Sequence, residues 1–480
     1  MSRQTRRSFL KGTLAAAATV TLAGTKSSGR VLGANETIRV GVAGLNGRGQ
    51  AHVGAFSKIK DVEIVYLIDP DSRTFAKRLK QLTKQTTKPK LVADIRHALE
   101  DKNLDAVSVA TPNHWHALIT IWACQAGKDV YVEKPCSHEV QEGRLALTAA
   151  RKYNRIVQHG TQGRSEPEMK RLAGLVKSGT YGTLRVSRGL CYKPRKSIGV
   201  KPVASPPAEV DFNLWLGPAA EHPFHANLVH YNWHWFWDFG NGDIGNQGVH
   251  QMDAARWMIP GAKLPKSAQS LGGRFGYQDQ GETPNSQITM FDYGETQLIF
   301  EVRGLETDAY KGVKIGNTLH FDSGVIAEGK FYPKGSNKPE TLQKNPEDKD
   351  DPGEQDHFAN FIAAVRSRKV SDLNADIEEG HYSAALCHLA NISYRLGEQV
   401  PFVPETKAFG DNKDAYESLM RMEDYLHGKN KLKLDGMNYQ LGRKLTVKPE
   451  TESFVDDKQA DKLLSREYRK PFAPTMLAKL

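Results

Sequence analysis

Short apolar runs in the first third of the chain predict buried strands that alternate with helices. Each run is followed by a polar turn and then by a stretch with helical character. Continuous apolar strands bounded by turns are typical of a parallel sheet that helices cover on both faces. These runs occupy Ile38–Ala43, Val62–Ile68, 106–110 and 130–132.

The pattern changes from about residue 156 onward, where apolar and polar positions alternate along the predicted strands. Such alternation predicts a largely antiparallel sheet, with helices on one face and the other face free to receive a ligand. The alternating strands occupy 184–190, 286–291 and 297–302.

This change of pattern predicts two domains and a tail. We expect a parallel α/β domain at 35–155 and an α+β domain at 156–430, whose first strand begins at Ile156. The tail at 431–480 has too few apolar positions for a core of its own. Within the second domain, helices are predicted at 356–366 and 380–396 and a proline-rich loop at 201–209.

An acid and an amine follow the strand at 130–132, in the order Glu133-Lys134-Pro135. Ligands of open parallel sheets bind beyond the carboxyl ends of the strands. A salt-bridged pair at a strand end is the plain alternative. Because other strand ends carry related signals, we expect Glu133 and Lys134 to lie at a ligand site.

The first strand runs into Gly44-Leu45-Asn46-Gly47-Arg48-Gly49, which matches a dinucleotide-binding turn except at its second glycine. In that motif the first glycine makes the turn, the second admits the pyrophosphate and the third lets the helix pack closely. Asn46 stands at the second position. Asparagine tolerates left-handed backbone better than most residues, so we expect the phosphate cradle at the helix N-terminus to remain.

The second strand ends in Asp69, which lies 20 residues after Gly49. This is the spacing of the acid that binds the adenosine ribose. A carboxylate here accepts hydrogen bonds from both ribose hydroxyls and repels a 2′-phosphate, which predicts NAD as the cofactor. Arg73 nearby leaves NADP as the alternative.

Together these motifs resemble the Gfo/Idh/MocA family of NAD(P)-dependent sugar and polyol oxidoreductases. The resemblance also rests on Thr111-Pro112-Asn113-His114-Trp115-His116 and on the block 242–253, and it spans almost the whole chain after the N-terminal segment. It implies a doubly wound Rossmann-type sheet followed by an α+β domain with an open sheet, a carbohydrate substrate and a homo-oligomer. The residues that it implies for the cofactor are Gly44, Asn46, Gly47, Arg48, Gly49, Asp69, Thr111, Asn113, His116, Glu133 and Lys134.

The second domain carries an aromatic segment, 231–238, which holds three of the seven tryptophans within five residues. This density suits stacking on a sugar ring, and a buried aromatic cluster is the alternative. Farther on, Asn246 and His250 are four residues apart and share a face if that segment is helical, with Asp253 three residues later. We disfavour a metal site at His250 and Asp253, because no further histidine pair or carboxylate cluster has ligand spacing.

By resemblance, Lys134 and His250 are the catalytic positions, and Asn246 stands where many family members carry an aspartate. Asparagine orients a hydroxyl but takes no proton, so we expect His250 to do more of the base work while Lys134 polarises the substrate oxygen. An imidazole titrates near neutral pH, which suits this task; a structural histidine is the alternative. The residues implied for the substrate are Gln162, Arg164, Tyr231, Trp235, Asp243, Asn246 and Asp253.

Two other function classes share these motifs. An NAD-dependent glycosidase would oxidise a ring carbon transiently, eliminate the aglycone, add water and return the hydride. A carbohydrate-binding protein without activity would keep the fold, but intact Glu133, Lys134 and His250 argue against it.

The N-terminus predicts export through the twin-arginine machinery to the periplasm or beyond. Arg6 and Arg7 precede a small-residue apolar stretch, 12–24, which is too short for a membrane span of ~20 residues. Cleavage after Ala34 is predicted, with a retained signal as the alternative. Because free NAD is expected to be scarce outside the cytoplasm, we expect the folded protein to carry its cofactor along and to regenerate it within its own cycle.

Charge and cysteine usage exclude some function classes. Removing the six basic residues of the predicted signal lowers the formal charge from +11 to +5. This mild excess disfavours a nucleic-acid partner. The four cysteines are widely spaced and form no Cys-x-x-Cys pair, so they indicate neither a zinc site nor a disulfide framework.

Overall fold

The computed structural model describes residues 36–344, 356–402 and 408–472. The predicted export signal therefore lies outside the described residues. The N-terminal domain is built on a six-stranded sheet, and every neighbouring pair in it is parallel. Its strands are β1 (Ile38–Ala43), β2 (Val62–Ile68), β3 (Lys90–Val92), β4 (Ala106–Val109), β5 (Asp129–Val132) and β6 (Val157–His159), in the order β3-β2-β1-β4-β5-β6.

Strand β6 corrects the sequence analysis, which placed the run that begins at Ile156 with the second sheet. Val157 pairs with Val130 of β5, and the two strands run parallel. All three residues of β6 are buried. A strand this short carries no periodicity that distinguishes one sheet from the other.

Helices cover both faces of the first sheet. One apolar core includes Val53 and Phe56, and the other includes Leu118 and Leu147. The fourth helix begins at Asn113, so His116 lies in its first turn. The helices of this domain are α1 (Gly47–Phe56), α2 (Phe75–Leu79), α3 (Ile95–Leu99), α4 (Asn113–Gln125) and α5 (Val140–Lys152).

The second domain contains a larger, mostly antiparallel sheet, as predicted. Its two central strands, β7 (Leu184–Tyr192) and β10 (Gln297–Arg303), run parallel to each other. Along the main path the order is β14-β13-β12-β11-β7-β10-β9-β8-β16-β15. Its strands are β7 (Leu184–Tyr192), β8 (Ser267–Gly273), β9 (Ser286–Asp292), β10 (Gln297–Arg303), β11 (Ile315–Phe321), β12 (Gly324–Ala327), β13 (Lys330–Pro333), β14 (Glu340–Thr341), β15 (Glu398–Pro401), β16 (Asn438–Leu441), β17 (Leu445–Lys448) and β18 (Ser453–Phe454).

One face of this sheet packs on two helices, α9 (Gly248–Trp257) and α11 (Ile377–Arg395), through a core that includes Met252, Phe300 and Leu386. Ala384 of α11 also packs into the core of the first domain, so this helix joins the two domains. The later helices are α6 (Pro167–Lys177), α7 (Phe212–Leu216), α8 (Gly242–Gly245), α9 (Gly248–Trp257), α10 (His357–Ser367), α11 (Ile377–Arg395), α12 (Lys413–Asp424) and α13 (Lys458–Lys462).

The opposite face of the second sheet is also covered, contrary to the expectation that it is free for a ligand. Leu419 and Met422 of α12 pack with Ile288, Met290 and Ile299 of the sheet. The apolar side chains on both faces of β9 and β10 are therefore buried in protein. A ligand site must be sought where the two domains meet.

The last part of the chain is integrated into both domains. Strand β16 joins the second sheet, and Phe472 packs against Trp115 of the first domain with ring centroids 5.5 Å apart. All four cysteines are buried and free. In the parts of the chain that the structure describes, no helix is long and apolar enough to cross a membrane.

Candidate active site

The glycine turn between β1 and α1 is tightly packed where the motif requires it. Gly44 has a φ of +81°, and a Cβ at Gly49 would lie 1.8 Å from the Gly44 carbonyl oxygen. Asn46 has a φ of −73°, so its tolerance of left-handed backbone is not needed. A Cβ at Gly47 would meet nothing within 4 Å. The N-terminal turn of α1 is therefore open to the adjacent cavity, as an anion-binding helix end requires.

Asp69 follows β2 at the wall of the same cavity. Its carboxylate accepts hydrogen bonds from the Leu45 amide at 2.7 Å and the Asp71 amide at 2.9 Å. Burial raises the pKa of Asp69, and these two bonds act against the rise. Each oxygen keeps a lone pair that a ribose hydroxyl could use. Arg73 forms a two-pronged bond with Asp71, at 2.8 and 2.6 Å, so its guanidinium is already engaged.

A segment of the second domain, 209–230, closes over this end of the cavity. The Asp211 amide donates to the Pro70 carbonyl at 2.9 Å, and His230 Nε2 lies 2.6 Å from Asp71 Oδ2. The cavity, about 270 Å³, thus has walls from both domains. Two further side chains of the segment line it, Leu214 and Trp215.

Glu133 is the centre of a buried hydrogen-bond network. Its Oε1 accepts from Arg48 Nε at 2.7 Å, His52 Nε2 at 3.0 Å and Gln162 Nε2 at 3.2 Å. Burial alone raises the pKa of Glu133, but the hydrogen bond from His52 and the charges of Arg48 and Lys134 together hold it well below its usual value. Glu133 is therefore ionised. Arg48 and Gln162, predicted to contact cofactor and substrate, both bind this carboxylate.

Lys134 projects from the end of β5 toward Asn246. Its Nζ donates to the Asn246 carbonyl oxygen at 2.7 Å and lies 3.4 Å from the side-chain oxygen. Because the shorter contact is with the backbone carbonyl, the Lys134 ammonium keeps this partner although residue 246 is an asparagine. Burial lowers the pKa of Lys134, and the charge of Glu133 raises it.

His250 lies in the first turn of α9, whereas Asn246 falls in the break between α8 and α9. The helical spacing considered for these two residues therefore does not apply. Burial and the charge of Lys134 lower the pKa of His250 to about 3. The imidazole is neutral at physiological pH, well away from the near-neutral titration of a free histidine. His250 does not line the cavity, but Lys134, which does, is close enough for its charge to lower the pKa of the His250 imidazole.

Two residues predicted to bind substrate, Arg164 and Asp253, pair with each other. Arg164 Nε donates to Asp253 Oδ2 at 2.8 Å, and both side chains are about 95% buried. The Ser383 hydroxyl also donates to Asp253, at 2.7 Å. This pair joins the second domain to the segment after β6 and does not line the cavity.

The aromatic segment divides between the cavity and a core. Trp235, predicted to contact substrate, is 5% exposed and packs with Trp215, Phe236 and Phe239. Tyr231, Trp233 and His234 line the cavity instead. Tyr231 is 48% exposed and has a φ of +127°, a strained value that the surrounding contacts must maintain.

Asp243 and Arg195 hold Tyr231 in place. Arg195 donates two hydrogen bonds to the Asp243 carboxylate, from Nε at 2.9 Å and from Nη2 at 2.6 Å. Its Nη1 donates to Tyr231 Oη at 2.9 Å. Asp243 is 3% exposed. Asp243 was predicted to bind substrate directly. It does not line the cavity and is linked to it through Arg195 and the cavity-lining Tyr231.

Polar residues that follow β4 also line the cavity. Asn113 donates to Asn241 Oδ1 at 3.0 Å. The two ring nitrogens of His116 lie 2.6 and 2.7 Å from the Pro135 and Thr111 carbonyl oxygens; burial lowers its pKa, and a neutral ring donates to only one of them. Among the described residues, the Thr111 hydroxyl is buried without a hydrogen-bond partner.

These features fit a dinucleotide. The glycine turn leaves room at a helix N-terminus, Asp69 faces the same cavity, and the hydroxyl of Thr111 has no protein partner. Residues 38–161 match the model of the Gfo/Idh/MocA oxidoreductase family's NAD-binding Rossmann domain, and residues 189–429 match that of its C-terminal α/β domain. Together these ranges cover more than half of the chain. The protein belongs to the Gfo/Idh/MocA oxidoreductase family.

Curated proteins match the chain over part of its length. A glycosyl hydrolase family 109 protein of Shewanella sp. is 31% identical over an alignment of 163 residues. The alignment covers 30% of this chain and 36% of that protein. Inositol 2-dehydrogenase of Corynebacterium glutamicum is 27% identical over 162 residues, 33% of this chain and 47% of that protein. The chain thus covers less than half of each relative.

The fold is shared with solved structures. WlbA dehydrogenase from Bordetella pertussis, in complex with NADH and UDP-GlcNAcA, superposes with a TM-score of 0.55 at 17% identity. The match covers 77% of this chain and all of WlbA. At this identity the likeness shows the fold alone.

Several residues of this family member's site carry no signal in the sequence. His52, fully buried, donates to Glu133 and lies 2.6 Å from Ser108 Oγ. Arg195 orients Tyr231, and Trp233 rather than Trp235 reaches the cavity. A lone histidine or arginine carries no local signal for such roles, because each partner lies tens of residues away in the chain.

Proposed function

We propose that this family member is an NAD-dependent oxidoreductase that acts on a hydroxyl of a sugar, polyol or glycoside and retains its cofactor. The observation that supports this most directly is the position of Lys134. Its ammonium lies at the wall of the cavity that also contains the glycine turn and Asp69, and the neutral imidazole of His250 lies within its electrostatic reach.

Each catalytic residue has a defined task in this proposal. Lys134 donates a hydrogen bond to the substrate oxygen and stabilises the negative charge that develops on it. His250, unprotonated because of its low pKa, accepts the hydroxyl proton. Because a pKa of about 3 makes it a weak base, this transfer depends on Lys134 stabilising the negative charge on the substrate oxygen. Asn246 holds the ammonium through its carbonyl oxygen. When bound, NAD would supply the acceptor for the hydride that leaves the substrate carbon.

The residues that would hold the cofactor are those of the cavity wall. The open first turn of α1, at Gly47, suits the pyrophosphate. Asp69 suits the adenosine ribose, and a 2′-phosphate there would meet a carboxylate, which favours NAD over NADP. The Thr111 hydroxyl, which has no hydrogen-bond partner among the described residues, lines the same cavity and is available to the cofactor.

The covered end of the cavity supports retention of the cofactor. Segment 209–230 contacts Pro70 and Asp71 beside the proposed ribose site. Arg469 fastens this segment from the other side, donating to the Asn213 and Gly217 carbonyl oxygens at 2.6 and 3.1 Å. Release of an adenosine group would require these contacts to open. The twin-arginine pattern at Arg6 and Arg7 agrees with a protein that is exported folded with its cofactor.

A second candidate is an NAD-dependent glycosidase that releases an aglycone without net consumption of cofactor. The likeness to a glycosyl hydrolase family 109 protein and the covered cofactor end both favour it. The same Lys134 and His250 would serve the oxidation and its reversal. Product analysis on a panel of glycosides and free sugars separates the candidates, because only the glycosidase releases an aglycone.

The test of the proposal is the pair of variants Lys134→Ala and His250→Ala. Turnover should fall by roughly 10² to 10⁴-fold, the usual contribution of a general acid or base. Bound NAD should remain, since neither residue belongs to the phosphate or ribose site. Lys84→Ala and His97→Ala, at exposed positions of the first domain, are control substitutions of the same residue types and should keep full turnover.

Near-normal turnover in either active-site variant would remove that residue from the mechanism. If the variants lost NAD as well as turnover, Lys134 or His250 would belong to cofactor binding instead. Quantifying bound nucleotide in the same preparations distinguishes these results.

A further inference from the structure

Two ammonium groups contact the same turn, the one that joins α8 to α9. Lys134 Nζ donates to the Asn246 carbonyl oxygen at 2.7 Å. Lys193, which follows β7, donates from Nζ to Gln247 Oε1 at 2.8 Å. Both acceptors are neutral. In the described ranges, neither lysine forms an ion pair with a carboxylate.

The carboxylates nearby are already neutralised by arginines. Asp243 is gripped by Arg195 through two bonds, and Glu133 accepts from Arg48 at 2.7 Å. The positive charge of the two lysines is therefore not offset within this part of the site. A dinucleotide would carry its phosphates at the glycine turn, on the N-terminus of α1, and not at the turn after α8.

We infer that the substrate carries an anionic group, and that Lys193 is the residue that recognises it. This inference rests on the proposed function and specifies its substrate class. Lys134 is occupied with the reacting hydroxyl. Lys193 does not line the cavity itself, but its Nζ contacts Gln247, the residue next to the cavity-lining Asn246, so it is the cation that a substrate group extending past Asn246 would meet. An ammonium held by a neutral amide exchanges that partner for a carboxylate, sulfate or phosphate with a net gain, because charge-assisted hydrogen bonds are the stronger ones.

Selectivity for charge should then depend on Lys193. Loss of one charge-assisted hydrogen bond corresponds to about a 10- to 100-fold loss of affinity. The preference should also weaken at high ionic strength, since Lys193 is only partly buried and its attraction is screened.

The experiment is a calorimetric titration of the NAD-loaded protein with matched sugars. The probes are methyl glucuronide, the sulfate and phosphate esters of methyl glucoside, and methyl glucoside itself. Lys193→Gln and Lys193→Arg are compared with Lys196→Gln, a control at an exposed lysine of the same loop. Thermal melting and the amount of bound nucleotide report whether each variant is folded. Turnover is followed separately, by analysing the products, because a cofactor that is regenerated within the cycle leaves no NADH to accumulate.

At least one anionic probe should bind about 10-fold or more tightly than methyl glucoside, and the member that does so identifies the anion. This preference should vanish in Lys193→Gln and persist in Lys193→Arg and Lys196→Gln. Equal binding of neutral and anionic probes, or no binding of any anionic probe, would overturn the inference. If Lys193→Gln still binds anionic sugars more tightly than methyl glucoside, Lys193 is not the residue that recognises the anion. If anionic sugars bind as expected but no probe transfers hydride, the proposed function fails while charge recognition stands.

Discussion

Replacing Glu133 by glutamine removes the charge at the centre of the buried network while keeping the size of the side chain. The carboxylate accepts three side-chain hydrogen bonds on Oε1, and its Oε2 lies 3.3 Å from the Lys134 amide. The amide nitrogen of a glutamine must occupy one of these oxygen positions, where it faces donors. The variant should therefore be less stable than the wild type.

The size of the loss follows from the exposure of the partners. Removing one member of a fully buried ion pair costs about 3–5 kcal/mol, whereas exposed pairs contribute about 0–1 kcal/mol. Glu133 is 5% exposed, but Arg48 is 43% exposed, and His52 is neutral because burial lowers its pKa. We expect the free energy of unfolding to fall by about 1–3 kcal/mol.

Two pH effects should accompany this loss. Glu133 has a pKa well below the unfolded value of 4.5, so its contribution is present above pH 4.5 and disappears as the pH falls through the folded value. The stability difference between wild type and variant should therefore shrink in acid. The charge of Glu133 raises the pKa of Lys134, so without it the alkaline limb of the activity profile should move to lower pH.

Urea unfolding across pH and the pH dependence of turnover measure these effects. Glu168→Gln is the control: Glu168 is 79% exposed and pairs with Arg171 one helical turn away, so its stability should change by less than about 0.5 kcal/mol. An unchanged alkaline limb in Glu133→Gln, together with an unchanged unfolding free energy, would refute the role assigned to the network.

Two further predictions concern the cofactor and the base. Asp69→Ala should weaken NAD binding by ~2 to 4 kcal/mol and NADP binding much less, since two charge-assisted bonds to the ribose are lost; tighter binding of NADP than NAD to the wild type, measured by calorimetry, would contradict the assignment. The pKa of His250, about 3, predicts that the base stays neutral and that kcat/KM shows no acid limb between about pH 5 and 7. A limb near pH 6.5 in the pH–rate profile would show that His250 titrates as an ordinary imidazole or is not the base.

Residues at the carboxyl ends of the parallel strands could be anticipated from the sequence. Apolar runs indicated β1, β2, β4 and β5, and parallel strands present the residues that follow them at one edge of the sheet. This is why Asp69 and Lys134 were predicted together, and the structure places both at one cavity.

Roles that depend on pairing between distant parts of the chain could not be anticipated. Arg164 and Asp253 looked like ligand residues until the fold paired them with each other. Alternate residues of the aromatic segment differ in burial, and only the fold shows that Trp233 and not Trp235 faces the cavity. Helix α12 covers one face of the second sheet, and this packing likewise depends on a contact between segments that are far apart in the sequence.

The most direct test of a retained cofactor is to denature protein that was purified without added nucleotide and to count the NAD released. The proposal predicts close to one nucleotide per chain, and turnover that needs no added NAD and leaves no NADH behind in proportion to product. Sub-stoichiometric nucleotide, with activity that depends on added NAD and accumulates NADH as product forms, would contradict it.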